Sequence, residues 1–280
     1  MNTIAIAGAG TMGAGMAQVV ASSGYKVILF DLVETTLEKA KLSIKLSLDK
    51  LVELNKTTRE KAEETISRIA VTTDLNQVKA DLIIEAIIEK LEPKVQLFQD
   101  LIKVNDENTL FASNTSSIPI SLIASKLSCP DRFIGIHFFN PATIMKLVEI
   151  ITGAKTSDET KNKSIEFVKS IGKTGVIAKD SPGFIVNRIA RLYYVESLKI
   201  LEEGIAELSE IDQLLESSGF KMGPFKLMDL IGVDTNYSVT ESQFQLFNYE
   251  PRFRPSRIQK QKVDAGMWGR KTKSGFYQYE

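Results

Sequence analysis

The start of the chain combines the pattern of a buried strand with a glycine-rich turn. Three glycines stand at GxGxxG spacing: Gly8, Gly10 and Gly13. Residues 4–7 before them are apolar and uncharged, which is typical of a strand buried on both faces of a parallel sheet. Residues 12–22 after them have a helical composition, and a second apolar run, 25–30, ends at Asp31. This order predicts an α/β fold of the doubly wound type, with a mostly parallel sheet.

Each glycine meets a separate requirement of a dinucleotide site. Gly8 permits the tight turn from strand to helix, and Gly10 lets the backbone approach a pyrophosphate. Gly13 lets the helix pack close against the strand. The helix N-terminus beside Thr11 and Met12 would offer free N–H groups and its positive dipole end to the diphosphate. The alternative is a tight turn of the same fold that binds no nucleotide.

Asp31 lies about 20 residues beyond the glycines, where an acid accepts hydrogen bonds from a ribose 2′-hydroxyl. A carboxylate there would repel the 2′-phosphate of NADP, and residues 29–34 contain no Arg or Lys. The complete fingerprint therefore predicts a site for NAD rather than NADP.

Composition limits the other classes of function. The 280 residues carry 35 basic and 35 acidic side chains, so no net positive charge favours a nucleic-acid partner. The one cysteine, Cys129, excludes an internal disulfide and a multi-cysteine metal site, and it fits a buried, inert thiol in a reducing compartment. No segment has the length of a membrane span or the pattern of a signal peptide, so we expect a cytoplasmic protein without a membrane partner.

A helical pair is predicted to be inserted after the second strand. Apolar residues recur at helical spacing over residues 34–55, and Thr57 and Glu60 form a capping box for a second helix. Lysines follow one another along and after the first helix, including Lys50 and Lys56. Spaced lysines usually mark a solvated helix face. The second interpretation is a binding surface for an anionic part of a substrate.

Two strands of the predicted sheet end in polar residues. A buried strand over 81–89 ends at Glu89, and the next strand, 109–112, leads into the segment SNTSS at 113–117. Because ligands bind beyond the carboxyl ends of parallel strands, SNTSS is a candidate ligand site. The alternative is that it caps a helix predicted to begin near Pro119.

His137 is the one histidine of the chain and follows a predicted strand at 132–136. Glu149 is the single acid of the apolar strand 146–151. A buried carboxylate needs a partner, and a neighbouring imidazole would serve. Such a pair would fix the tautomer of His137 and raise its basicity. The alternatives are a structural histidine, and a pair of Glu149 with Lys146 or an arginine at the sheet edge.

The last part of the chain has helical patterns and no clear strand. A turn-forming DSPG segment predicts the boundary between an NAD-binding domain, 1–182, and a helical domain, 183–280. The long first helix of the second domain, 184–203, has an apolar side that includes Ile189 and Leu192. Its apolar content is high for about 100 residues, which predicts a homodimer formed through this domain.

Eight segments together resemble one known family. They are GAGTMGAGMA, EAIIE, SNTSS, HFFNP, MKLVEI, PGFIVNR, MGPF and GRKTKSGFYQY. Their order and spacing resemble the 3-hydroxyacyl-CoA dehydrogenase family over essentially the whole chain. The length, with no hydratase module, looks most like the single-function bacterial 3-hydroxybutyryl-CoA dehydrogenases. The resemblance implies a Rossmann-type NAD-binding domain with an inserted helical pair, followed by an all-helical domain.

The resemblance also assigns roles to residues that match the family's motifs. It implies that His137 is the general base and that Glu149 is its partner. It implies that Ser116 and Asn187 hold the reacting substrate oxygens by hydrogen bonds. Five residues match positions that contact the cofactor in the family: Glu89, Lys94, Ser116, Asn140 and Lys271.

In the family, basic residues of the inserted helices bind the CoA moiety, which favours that role for Lys50 and Lys56. The implied reaction is the reversible oxidation of a (3S)-3-hydroxyacyl-CoA, with 3-hydroxybutyryl-CoA as the expected substrate, by hydride transfer to NAD. One alternative is another enzyme on this scaffold, of the L-gulonate or 3-hydroxyadipyl-CoA type. Another is a protein without catalysis, as some lens crystallins resemble this family, but the presence of all four reaction residues argues against it.

Overall fold

The computed structural model describes all 280 residues of the chain. The chain divides into two compact units, Met1–Ser181 and Pro182–Glu280. None of the helices combines the length and the apolar composition that a membrane span requires.

The first unit is built on one eight-stranded sheet. Its strands are β1 (Thr3–Ala7), β2 (Lys26–Phe30), β3 (Ile69–Thr72), β4 (Leu82–Glu85), β5 (Leu110–Ser113), β6 (Phe133–Phe138), β7 (Leu147–Thr152) and β8 (Thr174–Lys179). They lie in the order β3-β2-β1-β4-β5-β6-β7-β8. Every neighbouring pair is parallel except β6 and β7. This topology confirms the predicted mostly parallel, doubly wound sheet.

Six α-helices accompany the sheet. They are α1 (Thr11–Ser22), α2 (Glu34–Glu53), α3 (Arg59–Ser67), α4 (Leu91–Val104), α5 (Ile120–Ala124) and α6 (Asp158–Ser170). The pair α2 and α3 separates β2 from β3, which confirms the predicted insertion. The predicted capping box was wrong by one residue, because Thr58 rather than Thr57 has the extended backbone of an N-cap. Its hydroxyl accepts a hydrogen bond from the Lys61 amide at 3.3 Å.

The core of this unit lies against the central strands. All residues of β4, β5 and β6 are buried, as expected for parallel strands covered on both faces. Cys129 is buried as well, and burial raises the pKa of its thiol, which fits the predicted inert cysteine.

Several strand boundaries differ from the prediction, and two of these differences bear on the candidate site. Strand β4 ends at Glu85 rather than at 89, because the Glu85 carboxylate accepts a hydrogen bond from the Ile87 amide at 2.7 Å and the chain turns there. Ile88 is consequently exposed. Strand β6 extends to Phe138, so His137 lies within the strand and not after it.

The second unit is helical. Its helices are α7 (Val186–Glu202), α8 (Leu208–Ser217), α9 (Pro224–Ile231), α10 (Val233–Leu246) and α11 (Arg257–Asp264). Two buried aspartates hold the C-terminal tail. Asp229 accepts hydrogen bonds from the amides of Phe276 and Tyr277 at 2.8 and 2.9 Å, and Asp212 accepts one from the Tyr277 hydroxyl at 2.7 Å. Burial, together with a hydrogen bond to Asp229, raises the pKa of Tyr279 to about 12.

Helix α7 does not bury the whole apolar side that its sequence suggests. Ile189 and Leu192 are 68% and 41% exposed, while Arg191 is buried. The Arg191 guanidinium donates to the Asn236 carbonyl and to the Thr240 hydroxyl, both at 2.9 Å, and burial lowers its pKa to about 10. Because apolar residues occur around much of this helix, their spacing could not show which stripe faces the core.

Candidate active site

The glycine turn has the close approaches that its spacing predicts. Gly8 has φ +109°, a conformation that favours glycine, and a Cβ there would lie 2.5 Å from the Ala86 carbonyl oxygen. A Cβ on Gly13 would lie 1.7 Å from the Gly8 carbonyl oxygen. Around Gly10, in contrast, the space for a Cβ is open. Two of the glycines are therefore needed by the fold itself, and Gly10 leaves room for a ligand.

The N-terminus of α1 suits an anion. Its N-cap is Gly10, no side chain caps the helix, and its first turn contains no acid. Thr11 and Met12 are the first two residues of the helix. Backbone N–H groups at such an end, together with the helix dipole, attract phosphate.

Asp31 stands beside this turn at the end of β2. Its carboxylate accepts hydrogen bonds from the amides of Ala9 and Val33 at 2.9 and 3.0 Å, which fixes its orientation. The adjoining cleft has a volume of about 580 Å³ and is lined by Gly8, Gly10 and Asp31 together with apolar side chains that include Phe30 and Leu32. An apolar slot next to a fixed carboxylate and a glycine turn fits the adenosine half of NAD.

His137 and Glu149 face each other across β6 and β7. They are direct partners in the antiparallel register. His137 Nδ1 lies 2.8 Å from Glu149 Oε2, and the two residues are 6% and 1% exposed. An ionised carboxylate only accepts hydrogen bonds, so with Glu149 ionised Nδ1 would carry the proton and Nε2 would be the basic nitrogen. The Phe139 ring packs against the imidazole, with 4.6 Å between ring centres.

Glu89 organises the SNTSS segment. Its Oε1 accepts hydrogen bonds from the Thr115 hydroxyl at 2.5 Å, from the Ser116 amide at 3.0 Å, and from the amide and hydroxyl of Ser117 at 3.2 and 3.0 Å. Burial disfavours the charge of Glu89, but the Lys94 cation and these hydrogen bonds outweigh it and hold the pKa of Glu89 below its usual value. The structure thus brings together Glu89, Lys94 and the backbone of Ser116.

The SNTSS side chains do not cap α5, so that alternative was wrong. The amides of Ile120 and Ser121 donate instead to the two carboxylate oxygens of Asp180, at 2.9 and 2.7 Å. Asn114 has another task, since its Oδ1 accepts a hydrogen bond from the Phe138 amide at 2.7 Å. This bond ties SNTSS to the strand residue next to His137.

The sequence did not single out the residue that holds Lys94. The Lys94 side chain is 1% exposed, and its Nζ lies 2.5 Å from Glu85 Oε1 and 3.1 Å from Glu89 Oε2. Glu85 also accepts a hydrogen bond from the Ser113 hydroxyl at 2.6 Å. Glu85, the first acid of EAIIE, could have been identified from the sequence, because a carboxylate in a strand predicted to be buried needs a counter-charge.

Other predicted residues lie at the borders of the first unit. Asn140 is exposed and precedes a loop whose carbonyls at Ala142 and Met145 accept hydrogen bonds from Lys173 Nζ at 2.6 and 2.7 Å. Burial lowers the pKa of Lys173. Lys50 and Lys56 are both exposed near the C-terminal end of α2, as a solvated helix face requires.

Asn187 and Lys271 belong to the second unit. Asn187 is the second residue of α7 and is half-buried. Lys271 Nζ lies 2.6 Å from Asp234 Oδ1 and 5.1 Å from the centre of the Trp268 ring. Lys271 thus carries an ion pair and a cation–π contact that hold its amine in place.

Comparison with known proteins gives the same family for both units. Residues 3–181 match the model described as 3-hydroxyacyl-CoA dehydrogenase, NAD binding domain, and residues 183–279 match 3-hydroxyacyl-CoA dehydrogenase, C-terminal domain. Over 281 residues the chain is 44% identical to 3-hydroxyadipyl-CoA dehydrogenase of Escherichia coli, covering 100% of this chain and 59% of that relative.

Two further relatives are similar in length to this chain. A probable 3-hydroxybutyryl-CoA dehydrogenase of Deinococcus radiodurans is 41% identical, with 98% of this chain and 99% of the relative covered. The crystal structure of (S)-3-hydroxybutyryl-CoA dehydrogenase from Ralstonia eutropha superimposes with a TM-score of 0.96 at 39% identity, covering 100% of this chain and 99% of that one.

Proposed function

This chain belongs to the 3-hydroxyacyl-CoA dehydrogenase family and is an NAD-dependent oxidoreductase, and on that premise we propose that it interconverts (3S)-3-hydroxybutyryl-CoA and its 3-oxo product. The observation that carries the proposal is the buried pair of His137 and Glu149, 2.8 Å apart. A base aligned by a carboxylate is what removal of a hydroxyl proton requires. The (S) configuration is supported by the name of the Ralstonia relative.

NAD, when bound, accepts the hydride that leaves C3 of the substrate. His137 takes the proton of the 3-hydroxyl group at Nε2 and becomes an imidazolium. Glu149 stabilises that cation, because its charge already faces Nδ1. In the reverse direction the same imidazolium returns the proton to the 3-oxo oxygen.

Ser116 and Asn187 position the reacting oxygens in this proposal. Glu89 supports Ser116, since it accepts a hydrogen bond from the Ser116 amide and three more from its neighbours. Holding the oxygen in place contributes to the rate in addition to the proton transfer. Glu89, Lys94, Asn140 and Lys271 contribute to cofactor binding.

The CoA moiety is assigned to Lys50 and Lys56, whose side chains are exposed. Lys50 Nζ lies 3.7 Å from Glu53 Oε2, an exposed ion pair with which a phosphate would compete. A second substrate, 3-hydroxyadipyl-CoA, is favoured by the name of the Escherichia coli relative at 44% identity. A panel of both thioesters separates the two substrates by their kcat/KM values.

We also propose a homodimer and a cytoplasmic location. The exposed apolar stripe of α7, formed by Ile185, Ile189 and Leu192, supports the dimer because large exposed apolar groups mark association surfaces. Light scattering should give twice the mass of the chain, and Ile189→Glu should lower it to the monomer mass. The single reduced cysteine supports the location.

The test of the reaction is NADH oxidation with acetoacetyl-CoA, followed by NADH absorbance. We expect turnover with the thioester and NADH, and little turnover with free acetoacetate or with NADPH. NADH binding without turnover of acetoacetyl-CoA would contradict the proposed reaction and leave only the cofactor assignment.

A further inference from the structure

We propose that Glu85 is a positioning residue that acts through Lys94 and Glu89 on the backbone that presents Ser116. This inference rests on the proposed function for the role of Ser116. Glu85 lies at the end of β4, opposite Ser113 in the parallel register with β5, and is fully buried. It therefore does not reach a ligand itself.

A continuous set of short contacts leads from Glu85 to Ser116. Lys94 Nζ lies 2.5 Å from Glu85 Oε1 and 3.1 Å from Glu89 Oε2. Glu89 Oε1 in turn accepts hydrogen bonds from the amides of Ser116 and Ser117. Its two oxygens thus have separate partners, one facing the cation and the other facing the loop.

The charges explain why Glu85 matters at a distance. A buried ammonium needs a counter-charge and hydrogen-bond acceptors for its three protons. With both carboxylates present, Lys94 sits between them and Glu89 can keep Oε1 for the loop. If Glu85 lost its charge, Lys94 would draw on Glu89 alone. The donors of residues 115–117 would then compete with the ammonium for one carboxylate.

Glu85 also shapes the path of the chain next to the glycine turn. Its Oε1 accepts the Ile87 amide at 2.7 Å, which turns the backbone so that the Ala86 carbonyl passes over Gly8. The same carboxylate thereby contacts the backbone beside the glycine turn, on the cofactor side of the proposed site, and Ser113 of the SNTSS segment, on its substrate side.

The test is a double-mutant cycle with Glu85→Gln and Glu89→Gln. Glutamine keeps the size of Glu85 and removes its charge. We expect Glu85→Gln to lower kcat/KM for acetoacetyl-CoA about tenfold or more, the scale of one charge-assisted hydrogen bond. Its effect should nearly vanish in the Glu89→Gln background, because both changes disable one connection. Effects that multiply, or an unchanged kcat/KM, would overturn the proposal.

Hydrogen exchange supplies a readout that needs no turnover. The amides of Ser116 and Ser117 should exchange about tenfold faster in Glu85→Gln than in the parent protein. Ile84→Val, a buried neighbour in β4, is the matched control and should leave both this exchange and kcat/KM unchanged. Equal protection of residues 115–117 in Glu85→Gln and parent would overturn the proposal even if the parent lacked the proposed activity.

If Glu85→Gln does not fold, Glu85→Asp replaces it. Aspartate keeps the charge but withdraws the carboxylate from Lys94 Nζ by one methylene group, and it leaves the 3.2 Å hydrogen bond from the Thr115 amide to Ser113 Oγ in place. We expect a fall in kcat/KM of about threefold that disappears in the Glu89→Gln background. A fall that persists in that background, or none at all, would count against the role of Glu85.

Discussion

Two clusters of buried acid occur in the first unit, and they differ in what faces the carboxylate. Glu149 faces the imidazole of His137, a ring whose nitrogens can both accept and donate a proton. Glu85 faces the ammonium of Lys94, which also contacts Glu89. The first pair can move a proton, and the second cluster can hold a backbone segment.

This difference separates two functions of buried charge. In the proposed reaction, the carboxylate of the imidazole pair acts when His137 gains a positive charge. In the lysine cluster no charge changes during the proposed reaction, and we propose that the cluster acts by holding the backbone in place. Substitutions that keep shape and remove charge should therefore affect the two clusters to different degrees and in different measured quantities.

The largest effect is expected for His137→Gln. Glutamine fills part of the space but has no basic nitrogen, so turnover should fall about 1,000-fold or more. NADH affinity, measured by NADH fluorescence, should change little. An equal loss of turnover and NADH binding would assign His137 a structural role and remove the contrast between the clusters.

A smaller loss is expected for Glu149→Gln. The amide oxygen can still accept a hydrogen bond from Nδ1, but no negative charge remains to stabilise the imidazolium. Turnover should fall about 100-fold, with the KM for acetoacetyl-CoA nearly unchanged. If kcat stayed within about threefold of the parent, the negative charge of Glu149 would not be needed to stabilise the imidazolium. Glu149 would then only orient the ring, as Glu85 is proposed to orient the backbone.

Asp31 extends the comparison to a carboxylate that faces a cleft. Asp31→Ala removes the acceptor for the ribose hydroxyl and the repulsion of a 2′-phosphate. The preference for NADH over NADPH in kcat/KM should fall about tenfold. Asp158→Ala, at an exposed acid on α6, is the control and should keep the preference. The same preference in both variants would contradict the role of Asp31.

The smallest effects are expected in the pH dependence of the melting temperature. Since the folded pKa of Glu89 is lowered, its stabilising contribution is present above the unfolded pKa of about 4.3 and is lost as pH falls. The melting temperature of the parent should thus approach that of Glu89→Gln between pH 6 and pH 3.

Burial raises the pKa of Glu85, so the pH dependence of its contribution to stability has the opposite sign to that of Glu89. Stability from Glu85 is present at low pH and is lost as pH rises through the folded pKa. Relative to Glu85→Gln, the parent should therefore gain stability as pH falls. Differences of about 2–4 °C are the scale to resolve by calorimetry. Parallel curves for both variants would show that the two acids are not distinguished by their surroundings.

The local parts of the fold could be predicted because their signals are local. The strand, glycine turn and helix at the start follow from residues within one short segment, and the mostly parallel sheet follows from repeated strand and helix patterns. The partnership of His137 with Glu149 could be inferred because the single acid of an apolar strand needs a partner, and the one histidine of the chain follows a neighbouring predicted strand.

The parts that were missed depend on distant partners. Asp180 caps α5 from 60 residues away, and Ser113 binds Glu85 from 28 residues away. No periodicity encodes such contacts. The buried face of α7 was missed for another reason. Ile189 is exposed and Arg191 is buried, which reverses the usual preference of both residue types.

The antiparallel pairing of β6 with β7 has a consequence for protein engineering. His137 and Glu149 meet through the register of two strands and not through the loop between them, residues 139–146. An insertion into that loop would therefore leave the pair together as long as the strand register is kept. A slip of β7 by one residue would instead turn Glu149 to the other face of the sheet and bring Val148 or Ile150 opposite the imidazole. The pairing of His137 with Glu149 thus depends on strand register and not on the length of the loop.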